Sequence, residues 1–236
     1  MPARAPTNST GGAGRPMSAL TFKECEMRNK IKVLFLASNP VDTSALRLGQ
    51  EVREIDAKIE VGSARDAFEL IQQHALRVSD LQHALLRHRP HIVHFSGHGS
   101  KTEEIVLEDD AGKSHFVAQQ ALTSLFKILK DNVRILVLNA CFSKPQAEAI
   151  GSVIDYTVGN NKGVGDRAAI TFAAAFYRAL AFGRSVKEAF ELARLELDLV
   201  KIPGSDTPEL FIREGVDPTE PFIRQKDTPH RASPQS

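Results

Sequence analysis

Apolar positions along this chain fall into two patterns. The first is a set of short unbroken runs: Ile31-Lys32-Val33-Leu34-Phe35-Leu36-Ala37, then Ile92 and Val93 leading into His94-Phe95-Ser96, then Ile135-Leu136-Val137-Leu138. Runs of this length suit strands buried on both faces, as in a parallel sheet covered by helices. The second pattern recurs at helical spacing. Leu48, Val52, Ile55 and Ile59 form one stripe, with Asp42, Thr43 and Ser44 upstream as candidate caps. Ser79-Asp80 precedes another at Leu81, Ala84 and Leu85, and Ala121, Leu122, Leu125, Phe126 and Leu129 form a third. Residues 168–182 are apolar nearly all round, the mark of a buried helix, and residues 186–199 read as a last amphipathic helix.

Further strands are expected at 68–71, 154–158 and 209–213. Ile105-Val106-Leu107 and Ser114-His115-Phe116-Val117 flank Asp109-Asp110-Ala111-Gly112, a hairpin signal. Strands alternating with helices predict an α/β fold with a mainly parallel sheet of about six strands and a small antiparallel hairpin insertion. The expected body is 30–214. Residues 1–29 and 215–236, rich in Pro, Gly, Ser and Thr, read as weakly ordered tails.

Composition narrows the function classes. The chain has 236 residues, 42% hydrophobic, enough for one domain with its own core. Its formal net charge of +1, with acids and bases interleaved, argues against a nucleic-acid partner or an anionic membrane surface. The two cysteines, Cys25 and Cys141, have no disulfide spacing logic. The N-terminus lacks a secretory apolar core, and no stretch reaches the roughly 18 apolar residues of a membrane span, so the expected address is the cytoplasm.

The candidate chemistry sits at two strand ends. In open α/β sheets, reactive groups gather beyond the carboxyl ends of the strands. Here those ends deliver His98 and Cys141. A thiolate beside an imidazole is an activated nucleophile with its proton acceptor, and the imidazole can return the proton to a leaving amine. The backbone N–H groups of Gly99 and Cys141 are candidates for an oxyanion site. Asn139 and Ser143 flank the nucleophile and suit loop-orienting hydrogen bonds. His94, His98 and Cys141 lack a further ligand for zinc, and His94 falls inside a strand, so no metal is expected. The glycine-rich stretch 159–165 matches no nucleotide-binding pattern. From the residues alone, Asp166 reads as a cap for the helix that follows it.

The segments His94-Phe95-Ser96-Gly97-His98-Gly99 and Leu138-Asn139-Ala140-Cys141-Phe142-Ser143 resemble the two signatures of the CHAT family, caspase-like peptidases related to separase. Further similarity runs through Val33-Leu34-Phe35-Leu36-Ala37-Ser38-Asn39-Pro40, Leu46-Arg47-Leu48, Glu51-Val52-Arg53-Glu54-Ile55, and Asp166-Arg167-Ala168-Ala169-Ile170. The resemblance implies a three-layer αβα caspase-like sandwich and a cysteine endopeptidase with His98 as base and Cys141 as nucleophile. It implies an acyl-enzyme intermediate, a protein or peptide substrate, and no metal or organic cofactor. It suggests a role in bacterial signalling or defence, with an activating partner protein and movement of 101–110 and 159–165 completing the pocket. By the same resemblance, Asp166 corresponds to an acid lining the pocket for the residue before the scissile bond, which would favour Arg or Lys there. The polar stretch 159–165 departs from relatives that carry a more apolar segment. Two alternatives remain at this point: a silent module of the same fold that signals by binding, or a thiol hydrolase or acyltransferase acting on a small molecule.

Overall fold

The computed structural model describes residues 30–102 and 104–223. The main sheet takes β1 (Ile31–Ala37), β2 (Phe68–Gln73), β3 (Ile92–Ser96), β6 (Ile135–Asn139), β7 (Tyr156–Asn160) and β8 (Pro208–Ile212) in the order β2-β1-β3-β6-β7-β8. All neighbours are parallel except β8, which runs antiparallel to β7. The expected hairpin, β4 (Glu104–Glu108) and β5 (Ser114–Ala118), forms a separate two-stranded antiparallel sheet.

Helices cover both faces, giving the three-layer caspase-like sandwich. α1 (Leu48–Glu60), α5 (Asp166–Ala181) and α6 (Val186–Leu199) share a core with Val33, Phe35, Ile92, Ile135 and Val137. α2 (Val78–His88), α3 (Gln119–Leu129) and α4 (Lys144–Ile150) pack with Leu34, Leu36, Val93, Phe95, Leu136 and Leu138 on the other side. The split follows the period-two alternation of side chains along a strand. α5 is buried along most of its length because α1 and α6 both pack on it, with alanines at 168, 173, 174, 175, 179 and 181 among its buried residues.

Several local expectations change. Asp42, Thr43 and Ser44 do not cap α1, whose N-cap is Arg47 without a side-chain hydrogen bond. The Asp42 carboxylate instead accepts from the Ser114 N–H and hydroxyl on β5, and Thr43 donates to the Pro40 carbonyl. The fifth parallel strand runs two residues past its expected end, so Gly159 lies inside β7 rather than in a loop. A side chain there would strike the Ser143 carbonyl and the Ala147 methyl, which explains the glycine.

The segment 215–223, expected as tail, packs on the body: Tyr156 donates its hydroxyl to the Asp217 carbonyl, Pro221 bridges to Ser185, and Ile223 is buried. Burial raises the pull on a proton at Asp155, but Arg213 and Arg134 outweigh it and hold that carboxyl below its usual range. The expected tail at 1–29, with Cys25, and residues 224–236 lie outside the described residues. No described helix is long and apolar enough to cross a membrane.

Candidate active site

β3 and β6 are neighbours in the middle of the sheet, and their register pairs Ser96 with Asn139. His98 and Cys141 each follow two residues later, so both emerge at the same carboxyl rim. The two side chains line one small cleft, with Leu46, Leu48, Val164 and Ile170 as apolar walls, Arg47 and Asp166 at its edge, and Glu51, Ser96 and Asn139 at its base. Its volume of about 40 Å³ is far below that of a typical ligand pocket.

The backbone at this rim is tightly built. Phe142 has φ of 56°, a left-handed conformation uncommon for a bulky residue, and its N–H reaches the Lys162 carbonyl at 3.3 Å. The turn is held from below: the Ser143 hydroxyl contacts the Leu138 and Ala140 carbonyls at 2.8 Å and accepts from the Asn160 N–H at 3.0 Å. Asn160 Nδ2 donates to the Ala140 carbonyl at 3.1 Å. Gly99 lies against the Cys141 peptide. A side chain at 99 would collide with the Cys141 carbonyl oxygen and come within 3.2 Å of its nitrogen. The hairpin fixes the His98 loop, since Val106 N–H donates to the His98 carbonyl and Ser100 N–H to the Glu104 carbonyl. Among the described residues, neither the Gly99 nor the Cys141 N–H has a backbone or side-chain acceptor.

His98 Nε2 lies 2.9 Å from the Ser44 carbonyl oxygen. A carbonyl only accepts, so Nε2 carries the hydrogen and Nδ1 is the basic nitrogen of the neutral ring. Cys141 Sγ accepts from the Val164 N–H at 3.4 Å and contacts the Val164 carbonyl at 3.8 Å. The first contact is open to a thiolate, whereas the second requires the thiol proton. Val164 thus forms a wall against the Cys141 sulfur.

Asp166 is the first residue of α5. Gly165 is the N-cap and makes no side-chain bond, so the capping role expected for Asp166 gives way to an ion pair with Arg47 at 3.4 Å on the cleft edge. Asn139 points its amide into the base of the cleft, at Glu51. His94 is fully buried and hydrogen-bonded to Glu51 and Tyr177, outside any metal-like group. No cluster of three or more His, Cys, Asp or Glu side chains suited to a metal occurs among the described residues.

Sequence reasoning missed Glu51, Ser96, Arg47, Val164 and the Ser44 carbonyl. Glu51 did leave a signal: it stands three residues after Leu48 and four before Ile55, an acid inside an apolar stripe.

Residues 14–202 match the CHAT domain. The chain belongs to the CHAT family. Over 180 residues, 73% of this chain, it is 26% identical to a Roc-COR-CHAT protease from an unknown prokaryotic organism. Over 153 residues, 63% of the chain, it is 22% identical to a probable protease of Gillisia limnaea. It spans only 17% and 26% of the lengths of those two proteins. The fold is similar to a secreted C11 cysteine protease from Bacteroides thetaiotaomicron, solved with an irreversible peptide inhibitor, with a TM-score of 0.57 and 10% identity over 77% of this chain and 66% of that one. It is equally similar to the Arg-specific proteinase gingipain R, with a TM-score of 0.57 and 16% identity over 82% of this chain and 48% of that one. The CHAT chain therefore shares its sandwich with cysteine proteases of very different sequence.

Proposed function

We propose that this CHAT domain is a cysteine endopeptidase whose nucleophile is Cys141 and whose general base is His98. The observation that carries the reading is the convergence of the two residues on one cleft at the rim of adjacent parallel strands. The Ser44 carbonyl orients the imidazole and leaves Nδ1 to take the thiol proton. The thiolate attacks the scissile carbonyl carbon, and the oxygen that gains charge is received by the Gly99 and Cys141 N–H groups. A preorganised donor of this kind is often worth about 3 kcal/mol in the transition state. The tetrahedral adduct expels the amine, which takes its proton from the imidazolium. Water, deprotonated by the same imidazole, then releases the acyl group.

Asp166 on the cleft edge is the candidate acid for a basic residue before the scissile bond. The smallness of the cleft favours a latent enzyme, opened by a partner protein or by the peptide itself. Its setting in signalling or defence, and the cytoplasm as its address, are parts of the same proposal. Comparing protein termini in cells carrying wild type or Cys141→Ala tests the whole reading. New termini are expected with wild type alone, and cleavage retained by Cys141→Ala would overturn it.

A further inference from the structure

A carboxylate buried beneath the cleft has no role in the chemistry just described. Glu51, on α1, is 3% exposed. Three donors converge on it. His94 Nε2 and Asn139 Nδ2 lie 2.9 Å and 2.6 Å from Oε1, and the Ser96 hydroxyl donates to Oε2. The direction of donation is set by the carboxylate, which only accepts. Burial, reinforced by the charge of Glu51, holds the Tyr177 hydroxyl protonated, and that hydroxyl lies 3.2 Å from His94 Nδ1. His94 therefore donates from Nε2, and in the neutral ring that leaves Nδ1 to accept from the Tyr177 hydroxyl.

Such a group is an expensive choice for stability alone. Burying a charge costs several kcal/mol, and well-packed apolar residues often serve as well or better. The placement shows what else the carboxylate does. Ser96 and Asn139 are the terminal residues of β3 and β6, opposite each other in register, and each stands two residues before a member of the dyad. One side chain thus ties together the tips of the two strands that carry His98 and Cys141. The same helix begins four residues after Ser44, whose carbonyl holds His98 Nε2.

We propose that Glu51 is a positioning residue, a hydrogen-bonded clamp that sets the spacing of Cys141 and His98 and keeps the Ser44 carbonyl on the imidazole. The proposal rests on the dyad reading above. A misplacement of about 1 Å between reacting groups can cost about 10²-fold in rate, so a small spread of the strand tips is enough to matter.

The test is the rate at which iodoacetamide alkylates Cys141 in the full chain, read site-specifically by peptide mass, at about pH 6 and about pH 9. A thiol assisted by its imidazole stays reactive at the lower pH, and an unassisted one does not. In Glu51→Ala the ratio of the pH 6 rate to the pH 9 rate is expected to fall about tenfold. Glu51→Gln should restore most of it, because the amide oxygen can accept from His94 and Asn139 while the amide N–H donates to a reoriented Ser96 hydroxyl. Leu85→Ala, a cavity under α2 on the opposite face of the sheet, should lower stability and leave the ratio unchanged.

A wild-type ratio in Glu51→Ala overturns the proposal, as does an equal loss in Leu85→Ala or a failure of Glu51→Gln to recover. Should Glu51→Ala not fold, Asn139→Ala removes one of the three donors. A several-fold fall in the ratio supports the clamp and no fall overturns it. A wild type that reacts as an ordinary thiol at both pH values instead defeats the dyad reading itself, and the positioning role with it.

Discussion

On the side covered by α2, α3 and α4, β3 presents Val93 and Phe95, and β6 presents Leu136 and Leu138. On the side covered by α1 and α5, the same two strands present Ile92, His94 and Ser96, and Ile135, Val137 and Asn139. Both sets are buried. The first meets Leu122, Phe126 and Ile150, and the second meets Glu51 and Tyr177 as well as aliphatic groups. Apolar packing is non-directional, so many side chains of similar volume can fill the dry face. Hydrogen bonds fix angle and distance, so the polar face specifies where two strand tips stop. The contrast teaches that tolerant packing can be read from one face of the sheet and the placement of His98 and Cys141 from the other.

The largest effect tests the dry face. Phe126 is fully buried there, and Phe126→Ala is expected to cost about 3–5 kcal/mol of unfolding free energy by urea titration. Below the transition, Cys141 should be alkylated as in wild type. A folded Phe126→Ala protein with a changed alkylation profile would show that the two faces are not separable.

The next effect strikes the rim of the polar face. In Gly99→Ala the new methyl collides with the Cys141 carbonyl oxygen, and no flexible side chain is there to yield. The backbone must move at Cys141 and at the proposed oxyanion donors together. Cleavage is expected to fall about 10²-fold, chiefly in kcat. An active Gly99→Ala enzyme would remove this rim from the mechanism.

The two faces also differ in how far they could be read from sequence. The strand runs 31–37, 92–96 and 135–139 are long apolar blocks, so the sheet and the common rim for His98 and Cys141 followed directly. The stripe at Leu48, Val52, Ile55 and Ile59 gave α1 but drew attention away from Glu51, the polar residue on that same face. The Ser44 contact was beyond reach, because it is made by a backbone carbonyl that any residue supplies. Capping rules pointed at Asp42, Thr43 and Ser44, but α1 begins only at Leu48, and Ser114 on β5 and the Pro40 carbonyl take the Asp42 and Thr43 side chains. Proline and glycine marked 215–223 as tail, whereas Val216, Phe222 and Ile223 supply enough apolar surface to hold it on the body.

The smallest effect distinguishes two uses of a charge on the cleft edge. Asp166 pairs with Arg47 at 3.4 Å, and the Arg47 side chain is 56% exposed. A pair this wet contributes about 0–1 kcal/mol, so Asp166→Asn should leave stability nearly unchanged. The same weakness lets an incoming substrate guanidinium or ammonium displace Arg47 at little cost. If Asp166 reads that group, Asp166→Asn should lower kcat/KM about tenfold for peptides with Arg or Lys before the cleaved bond and spare neutral ones, a difference of about 1.4 kcal/mol. Preference should survive Arg47→Ala, which removes the competing cation and keeps the acid. An Asp166→Asn enzyme with unaltered preference would confine Asp166 to its place in the first turn of α5, where a negative charge suits the helix dipole.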